Sequence, residues 1–162
     1  MVTRFGDNSV ELNLPVRLLM QFYADHPAGA ADAMLQAPDR DMWVIAQLNS
    51  TQVYTITTVD LDAQTSFTRQ SVKSKRTVAH RPLPRWARYP AGVVMALSER
   101  GLELPGVSAA LCGDEPPGPR YEHALGIAVA ALWYQVAGKA YTVSDLFGLV
   151  DRVHHDYVQV AL

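Results

Sequence analysis

The chain has 162 residues, 49% of them hydrophobic and 19% charged, with a formal net charge of −2. That length suits one domain with a sizeable core. The balance excludes a disordered chain and gives no strong pull toward nucleic acid or an anionic membrane. A single cysteine, Cys112, excludes an internal disulfide and a cysteine-rich metal site. It lies in an apolar run and reads as a small buried hydrophobe. Met1 to Asp7 holds no apolar signal core, and there is no run of about 18 apolar residues. A cytoplasmic protein is the expectation.

From Val10 to about Gln70 the pattern is mainly strand-like. Val16 to Tyr23 is a short apolar run led by a proline. Asp25 to Asp32 is a loop by its proline, glycine and small residues. Met42 to Leu48 is a second apolar run. Val53 to Val59 alternates and is rich in β-branched and aromatic residues, the strongest strand signal in the chain. Asn49-Ser50-Thr51-Gln52 between these two reads as a hairpin connection. Thr65 to Arg69 suggests a further edge strand. Lys73, Lys75, Arg76, Arg81 and Arg85 then gather between Arg69 and Arg88, with Trp86 and Tyr89 close by. A nucleic-acid patch is imaginable, but the rest of the chain is acidic, so a solvated loop entering a helix fits better.

From Pro84 onward the pattern is helical. Trp86, Tyr89, Val93, Val94 and Leu97 recur at three- and four-residue spacing, and Gly101 is placed to cap the helix end. Val107 to Cys112 reads as a short buried strand. A helix from about Tyr121 to Val136 is apolar nearly all round, which marks a core helix that Gly138 can end. Thr142 and Asp145 offer a capping start for a last helix running into His154. Trp43, Trp86 and Trp133 are most simply core. Strands first and helices after, with one strand between helices, argue for a two-layer α+β domain. There is no internal repeat, linker or low-complexity tract.

The segment Asp114-Glu115-Pro116-Pro117-Gly118-Pro119-Arg120-Tyr121-Glu122-His123 stands where a phosphate-binding loop opens a helix. A helix start presents unpaired N–H groups and a partial positive charge, so it favours an anion. Close approach of phosphate to backbone calls for small residues, yet here the turn is filled by Arg120, Tyr121, Glu122 and His123.

The order of these pieces resembles the N-terminal domain of galactokinases, within the GHMP family of sugar and metabolite kinases. Trp86 to Val93, a helix, a strand, and Gly113-Asp114-x-Pro116-x-Gly118 before an apolar helix carry the likeness. Pro15 to Met20 is similar to the Pro-Gly-Arg-Val-Asn-Leu signature, and Asp25-His26-Pro27-Ala28-Gly29 to the Asp-Tyr/His-x-Gly-Gly after it. Val153 to Val160 is similar to a Glu-x-x-Tyr-Val-Gly-Val segment. The resemblance covers nearly the whole chain in order. It implies a GHMP-kinase N-terminal fold, an antiparallel or mixed sheet packed on helices. It also implies an activity, ATP-dependent phosphorylation of galactose or a similar sugar, with ATP and Mg2+ as cofactors.

Carried over residue by residue, the resemblance makes Arg17 the signature arginine beside the reacting hydroxyl, where a guanidinium stabilises a transferring phosphoryl group. Asp25 corresponds to a sugar-binding aspartate, while the family's Glu-His pair falls on Tyr23 and Ala24. The phosphate loop falls on Pro116 to Gly126. Pro116 and Gly118 survive, the second glycine becomes Arg120, and the serine run becomes Glu122, His123 and Ala124. A carboxylate at Glu122 repels triphosphate unless a metal lies between. The catalytic aspartate of a Gly-x-x-Asp-Gln stretch and the C-terminal domain lie beyond Leu162 in the family's order. The expectation is a degenerate domain, weakly active or inactive alone.

Other constellations have plainer readings. His154-His155-Asp156 points to a solvated or partner-facing surface rather than a metal site, because adjacent helical residues face different ways. Asp25-His26 reads as a loop turn, Glu122-His123 as a helix-dipole pair and Asp39-Arg40-Asp41 as a solvated turn. Three roles remain: a sugar kinase domain that is a fragment of a longer chain or pairs with a separately encoded C-terminal domain; a non-catalytic module that binds a sugar, nucleotide or protein; and an interaction domain without a small ligand. The last two imply self-association.

Overall fold

The computed structural model describes residues 14–27 and 29–160. Helix α1 (Leu14–Asp25) is followed by β1 (Ala33–Gln36), β2 (Met42–Asn49), β3 (Tyr54–Thr58) and β4 (Ala63–Phe67). Then come a short helix α2 (Arg69–Val72), a 3-10 turn at Arg85–Ala87, α3 (Arg88–Glu99), β5 (Gly106–Gly113), α4 (Pro119–Val136) and α5 (Val143–Val153). A π-helical turn, His154–Val158, completes α5. The five strands form one mixed sheet in the order β1-β2-β5-β3-β4.

Helix α4 packs on one face of the sheet against β1 and β2, and α3 and α5 pack on α4 and on each other to complete the main core. The two main layers are therefore sheet and helices, an α+β domain as expected. Trp133 is fully buried in that core, edge-on to Tyr54, whereas Trp43 and Trp86 are half-buried. On the other face, α1 covers β2 and β5 with Leu14, Leu18 and Phe22, which meet Ile45, Ala110 and Cys112.

Two expectations fail here for physical reasons. The run Val16 to Tyr23 is helix, not strand. Its buried residues Leu14, Leu18 and Phe22 recur every four positions, one stripe of a helix, and Pro15 suits a first turn. The reading that began at Val10 also includes residues 10–13, outside the described residues. The second failure is the hairpin. Strands β2 and β3 are not neighbours, because β5 lies between them, antiparallel to β2 and parallel to β3. Asn49 to Gln52 crosses over the start of β5. A Cβ on Gly106 would lie 2.2 Å from Asn49 Oδ1 and 2.8 Å from the Gln52 nitrogen, so only glycine passes beneath the link. Strand β1, four residues long, was not foreseen at all.

The remaining elements agree with the pattern. β4 is an edge strand. Gly101 and Gly138 take φ of +88° and +68° just past the ends of α3 and α4. Thr142 and Asp145 form a reciprocal capping box at α5. The basic segment after α2 is largely exposed except for Lys75, which is 6% exposed. Its ammonium donates to the Val160 carbonyl and faces the Tyr157 ring at 5.2 Å. Burial and the Arg88 charge hold its pKa below the usual lysine value. A wholly solvated loop is thus the wrong description at that residue. Among the described residues, no helix is long and apolar enough to cross a membrane.

Candidate functional site

Because β3 and β5 run parallel, their carboxyl ends, Thr58 and Gly113, lie on the same side of the sheet. That is the side from which the chain turns into α4, and such ends are where ligand-binding loops gather in sheets with parallel strands. Gly118, the residue before α4, has φ of +120° and ψ of −156°, a conformation open only to glycine. No heavy atom lies within 4 Å of the Cβ it lacks. Pro119 then suits the first helical position. Among the described residues, the amides of Arg120 and Tyr121 have no hydrogen-bond acceptor; the first one engaged is that of Glu122, on the Gly118 carbonyl at 3.0 Å. The turn therefore keeps the backbone form of an anion cradle.

Its side chains are committed elsewhere. Arg120 Nε donates to Glu115 Oε1 at 2.6 Å. The Glu115 side chain is 5% exposed, and its other oxygen accepts the Asp41 amide at 3.1 Å. Burial works to raise the Glu115 pKa, but the Arg120 and Asp41 hydrogen bonds and the charges of Arg120 and Arg40 outweigh it and hold the carboxyl below its usual value. Nearby, burial and the charges of Asp114 and Glu115 push Asp41 up. Glu122 accepts from Arg85 Nε at 3.0 Å.

His123 is held on both ring nitrogens. Arg40 lies 3.1 Å from Nδ1, and Asp151 lies 3.5 Å from Nε2. Since a guanidinium can only donate, Nδ1 accepts and Nε2 carries the hydrogen. Burial and the Arg40 charge hold the His123 pKa below its usual value, partly offset by Asp151. Glu122 and His123 are therefore more than a dipole pair. The Asp39-Arg40-Asp41 turn is likewise not simply solvated, since Arg40 is half-buried over the Phe147 ring at 5.2 Å.

A second carboxylate joins this region to α1. Asp60, just past β3, accepts the Gly113 amide at 2.8 Å and the Tyr121 hydroxyl at 2.7 Å. The phenol hydrogen goes to the carboxylate, so Thr58, 2.5 Å away, donates to the phenol oxygen. Burial first, then Asp60, raise the Tyr121 pKa. Burial and Asp60 likewise push the buried Cys112 thiol up to about 12, so it is no nucleophile. On the outer side Asp60 lies 3.9 Å from Arg17.

Of the residues singled out in the sequence, Pro116, Gly118, Arg120, Glu122 and His123 gather at the α4 start. Arg17 joins them only through Asp60 and Tyr121. Asp25 lies two helical turns beyond Arg17, roughly 12 Å along the axis, where Gln21 donates to its carboxylate at 3.1 Å. A shallow cavity of about 370 Å³ borders Arg17, Met20, Gln21, Ala24 and Val59 and lacks Asp25. His26 stacks on Phe22 and caps α1 through the Phe22 carbonyl, and among the described residues it has no acid–base partner. His154 bonds the Tyr89 hydroxyl at 2.6 Å, while His155 and Asp156 are exposed. Among the described residues, no group of three or more His, Cys, Asp or Glu is arranged to hold a metal ion. Asp60, Glu115 and Arg40 were not foreseen as site residues. A usable signal existed for Asp60, the first polar residue after the clearest strand.

No protein-family model matches the chain, and no curated protein matches it by sequence. Likeness appears among solved structures. The Lactococcus lactis galactokinase complexed with galactose aligns with a TM-score of 0.66 and 15% identity, over 91% of this chain and 44% of that one. The Methanococcus jannaschii mevalonate kinase aligns at 0.55 with 10% identity, over 72% of this chain and 37% of that one. A further mevalonate kinase gives 0.54 and 11%, over 72% and 38%. This chain thus has the fold of a GHMP-kinase N-terminal domain, and it spans less than half the length of the galactokinase it matches.

Proposed function

We propose that this chain is a galactokinase-like sugar kinase domain that has become degenerate at its nucleotide position and now serves as a non-catalytic binding module. The likeness to galactokinase supports, as the ancestral reaction, phosphoryl transfer from ATP to galactose or a similar sugar. The observation that carries the reading is the buried Glu115 carboxylate with the Arg120 guanidinium on it at 2.6 Å. The loop supplies its own anion to the cation that stands beside the cradle. Glu122 adds a second carboxylate in the first turn of α4. Phosphoryl transfer depends on positioned cations and a metal at the phosphates, and here Glu115 and Glu122 are each taken up by an arginine, Arg120 and Arg85, which leaves neither a free cation nor a free carboxylate among these four to hold Mg2+ beside a triphosphate. The donor set therefore does not fit ATP with Mg2+.

What remains for a ligand is the outer end of the site. The Arg17 side chain is 40% exposed above Asp60, beside the cavity of about 370 Å³. The Arg17 guanidinium and the Gln21 amide beside apolar Met20 and Val59 suit a polyhydroxylated small molecule such as a sugar.

A thermal-shift titration tests both parts. A ligand that binds only the folded chain raises its melting temperature by mass action. Galactose is expected to raise it and Mg-ATP to leave it unchanged. A rise with millimolar Mg-ATP overturns the closed-loop reading. The paired change Arg120→Gly and Glu122→Ser reopens the cradle, and a Mg-ATP response is expected there alone.

A second reading rests on Gly118 and the unpaired Arg120 and Tyr121 amides, which preserve the cradle backbone. On this reading a weakly active kinase domain works with a C-terminal domain supplied by the same or another chain. A Mg-ATP response in the unaltered chain favours it.

A further inference from the structure

The β1–β2 turn reaches across the sheet end, with Ala37 in the main core and the Arg40 side chain against the helices. Arg40 leaves this turn and places a guanidinium nitrogen 3.1 Å from His123 Nδ1 on α4, over the Phe147 ring of α5. Its Nε is buried without a partner, so the histidine is the one hydrogen-bond acceptor the guanidinium finds among the described residues. The same turn grips the loop before α4. The Asp41 amide donates to Glu115 at 3.1 Å, and the Asp41 carbonyl accepts the Asp114 amide at 3.0 Å.

We propose that His123 is a proton-operated latch, holding the β1–β2 turn against α4 and α5 while its ring is neutral and releasing it when the ring is protonated. The step is a single proton transfer from a solvent hydronium ion to Nδ1, leaving water. The lone pair that accepts from Arg40 is then used, and two cations face each other at bonding distance. Nε2 keeps its hydrogen throughout, and the new charge strengthens its attraction to Asp151, 3.5 Å away. The imidazolium therefore stays with α5 and Arg40 leaves. Because Asp41 follows Arg40 directly, the departure loosens the clasp on Asp114 and Glu115, so the loop senses the same proton.

The charges around the ring set the working range. Arg40 faces it from the β1–β2 turn and His154 from the π-helical turn, and both oppose protonation. Asp151 of α5 favours it. Glu122, next in sequence, is tied to Arg85. The histidine pKa lies below its usual value on this balance, chiefly through burial. The latch is closed at neutral pH and opens on mild acidification.

Amide hydrogen exchange of the full chain, followed by NMR at pH 7.5 and 5.5 and corrected for the intrinsic pH effect, tests this. The amides of Arg40, Asp41 and Asp114 are expected to open about tenfold more often at pH 5.5. His123→Gln, which accepts from Arg40 without titrating, is expected to remove the pH dependence. Arg40→Met is expected to open the turn at both pH values. Asp41→Asn controls for the turn carboxyl that lies beside Glu115 and Asp114 and is expected to leave the pH effect in place. Unchanged exchange in the unaltered chain overturns the proposal, as does a pH effect that survives His123→Gln and disappears in Asp41→Asn. Should His123→Gln fail to fold, titration of the His123 ring protons decides. Arg40→Met must raise that pKa, and no rise overturns the latch.

Discussion

Helix α4 holds two regions of opposite character within 18 residues. From Ala124 to Trp133 every side chain is buried, and the helix body needs only apolar groups of the right volume. In the first turn, Arg120, Tyr121, Glu122 and His123 each have a specific partner drawn from another part of the chain: Glu115, Asp60, Arg85 and Arg40. The body tolerates exchange of one hydrophobe for another, so it survives while chemistry changes around it. The turn carries specific bonds, so its residues record what the site now does. In this chain they bind Glu115, Asp60, Arg85 and Arg40, and the helix starts without the small residues and hydroxyls that a phosphate loop would place there.

Substitutions in the two regions separate these contributions. Leu125 is fully buried at the centre of the helix layer. Leu125→Ala is expected to cost about 2–5 kcal/mol through lost transfer energy and a cavity, read from urea unfolding. A loss well under about 1 kcal/mol would show that the body is not the stabilising region. Tyr121 stands at the boundary. Tyr121→Phe keeps the ring but removes the hydroxyl that bonds Asp60 and Thr58, and Thr58 is fully buried. The expected loss is about 1–3 kcal/mol, since a buried hydroxyl loses its acceptor and a carboxylate loses a donor. Thr58→Val with Tyr121→Phe should recover part of it, because the unsatisfied hydroxyl is then gone as well.

The same contrast explains what the sequence makes legible. Amphipathic or wholly apolar helices and their caps are local properties, so α3, α4, α5, Gly101, Gly138 and the Thr142 box follow from spacing alone. The α1 segment is short and rich in leucine and aromatic residues, and a strand and a helix bury such a run equally well. The position of β5 between β2 and β3 is non-local. Nothing in Asn49 to Gln52 tells a hairpin from a link that crosses over another strand, and Gly106, which permits the crossing, lies more than 50 residues later. At the site, the large residues Arg120, Tyr121, Glu122 and His123 at the start of a helix were legible in the sequence. Their partners Glu115, Asp60 and Arg40 were not, because a charged residue in a turn looks solvated until the fold supplies its neighbour.

The smallest expected effect concerns the bond that closes the loop. The Arg120 side chain is 64% exposed and that of Glu115 only 5%. Solvent screening around the arginine limits the pair, so Arg120→Ala is expected to cost about 1 kcal/mol or less at pH 7. Its pH dependence is the more telling quantity. Glu115 has a pKa depressed below its ordinary 4.5 in the folded chain. Its stabilising contribution is therefore complete above that ordinary value and is lost as pH falls through the folded one. His123 is depressed below its ordinary 6.5, so its contribution is likewise present above that value and lost as pH falls through its own folded pKa. The two windows start about two pH units apart, which lets one titration resolve them. Urea midpoints of the unaltered chain and Arg120→Ala, compared from pH 8 to pH 3, should differ by a constant amount down to about pH 5 and converge below it. Convergence already near pH 6 would assign the arginine to the histidine network. A difference that persists at pH 3 would mean that Arg120 stabilises the turn by packing its aliphatic stem, and the closed loop would then owe little to its internal carboxylate.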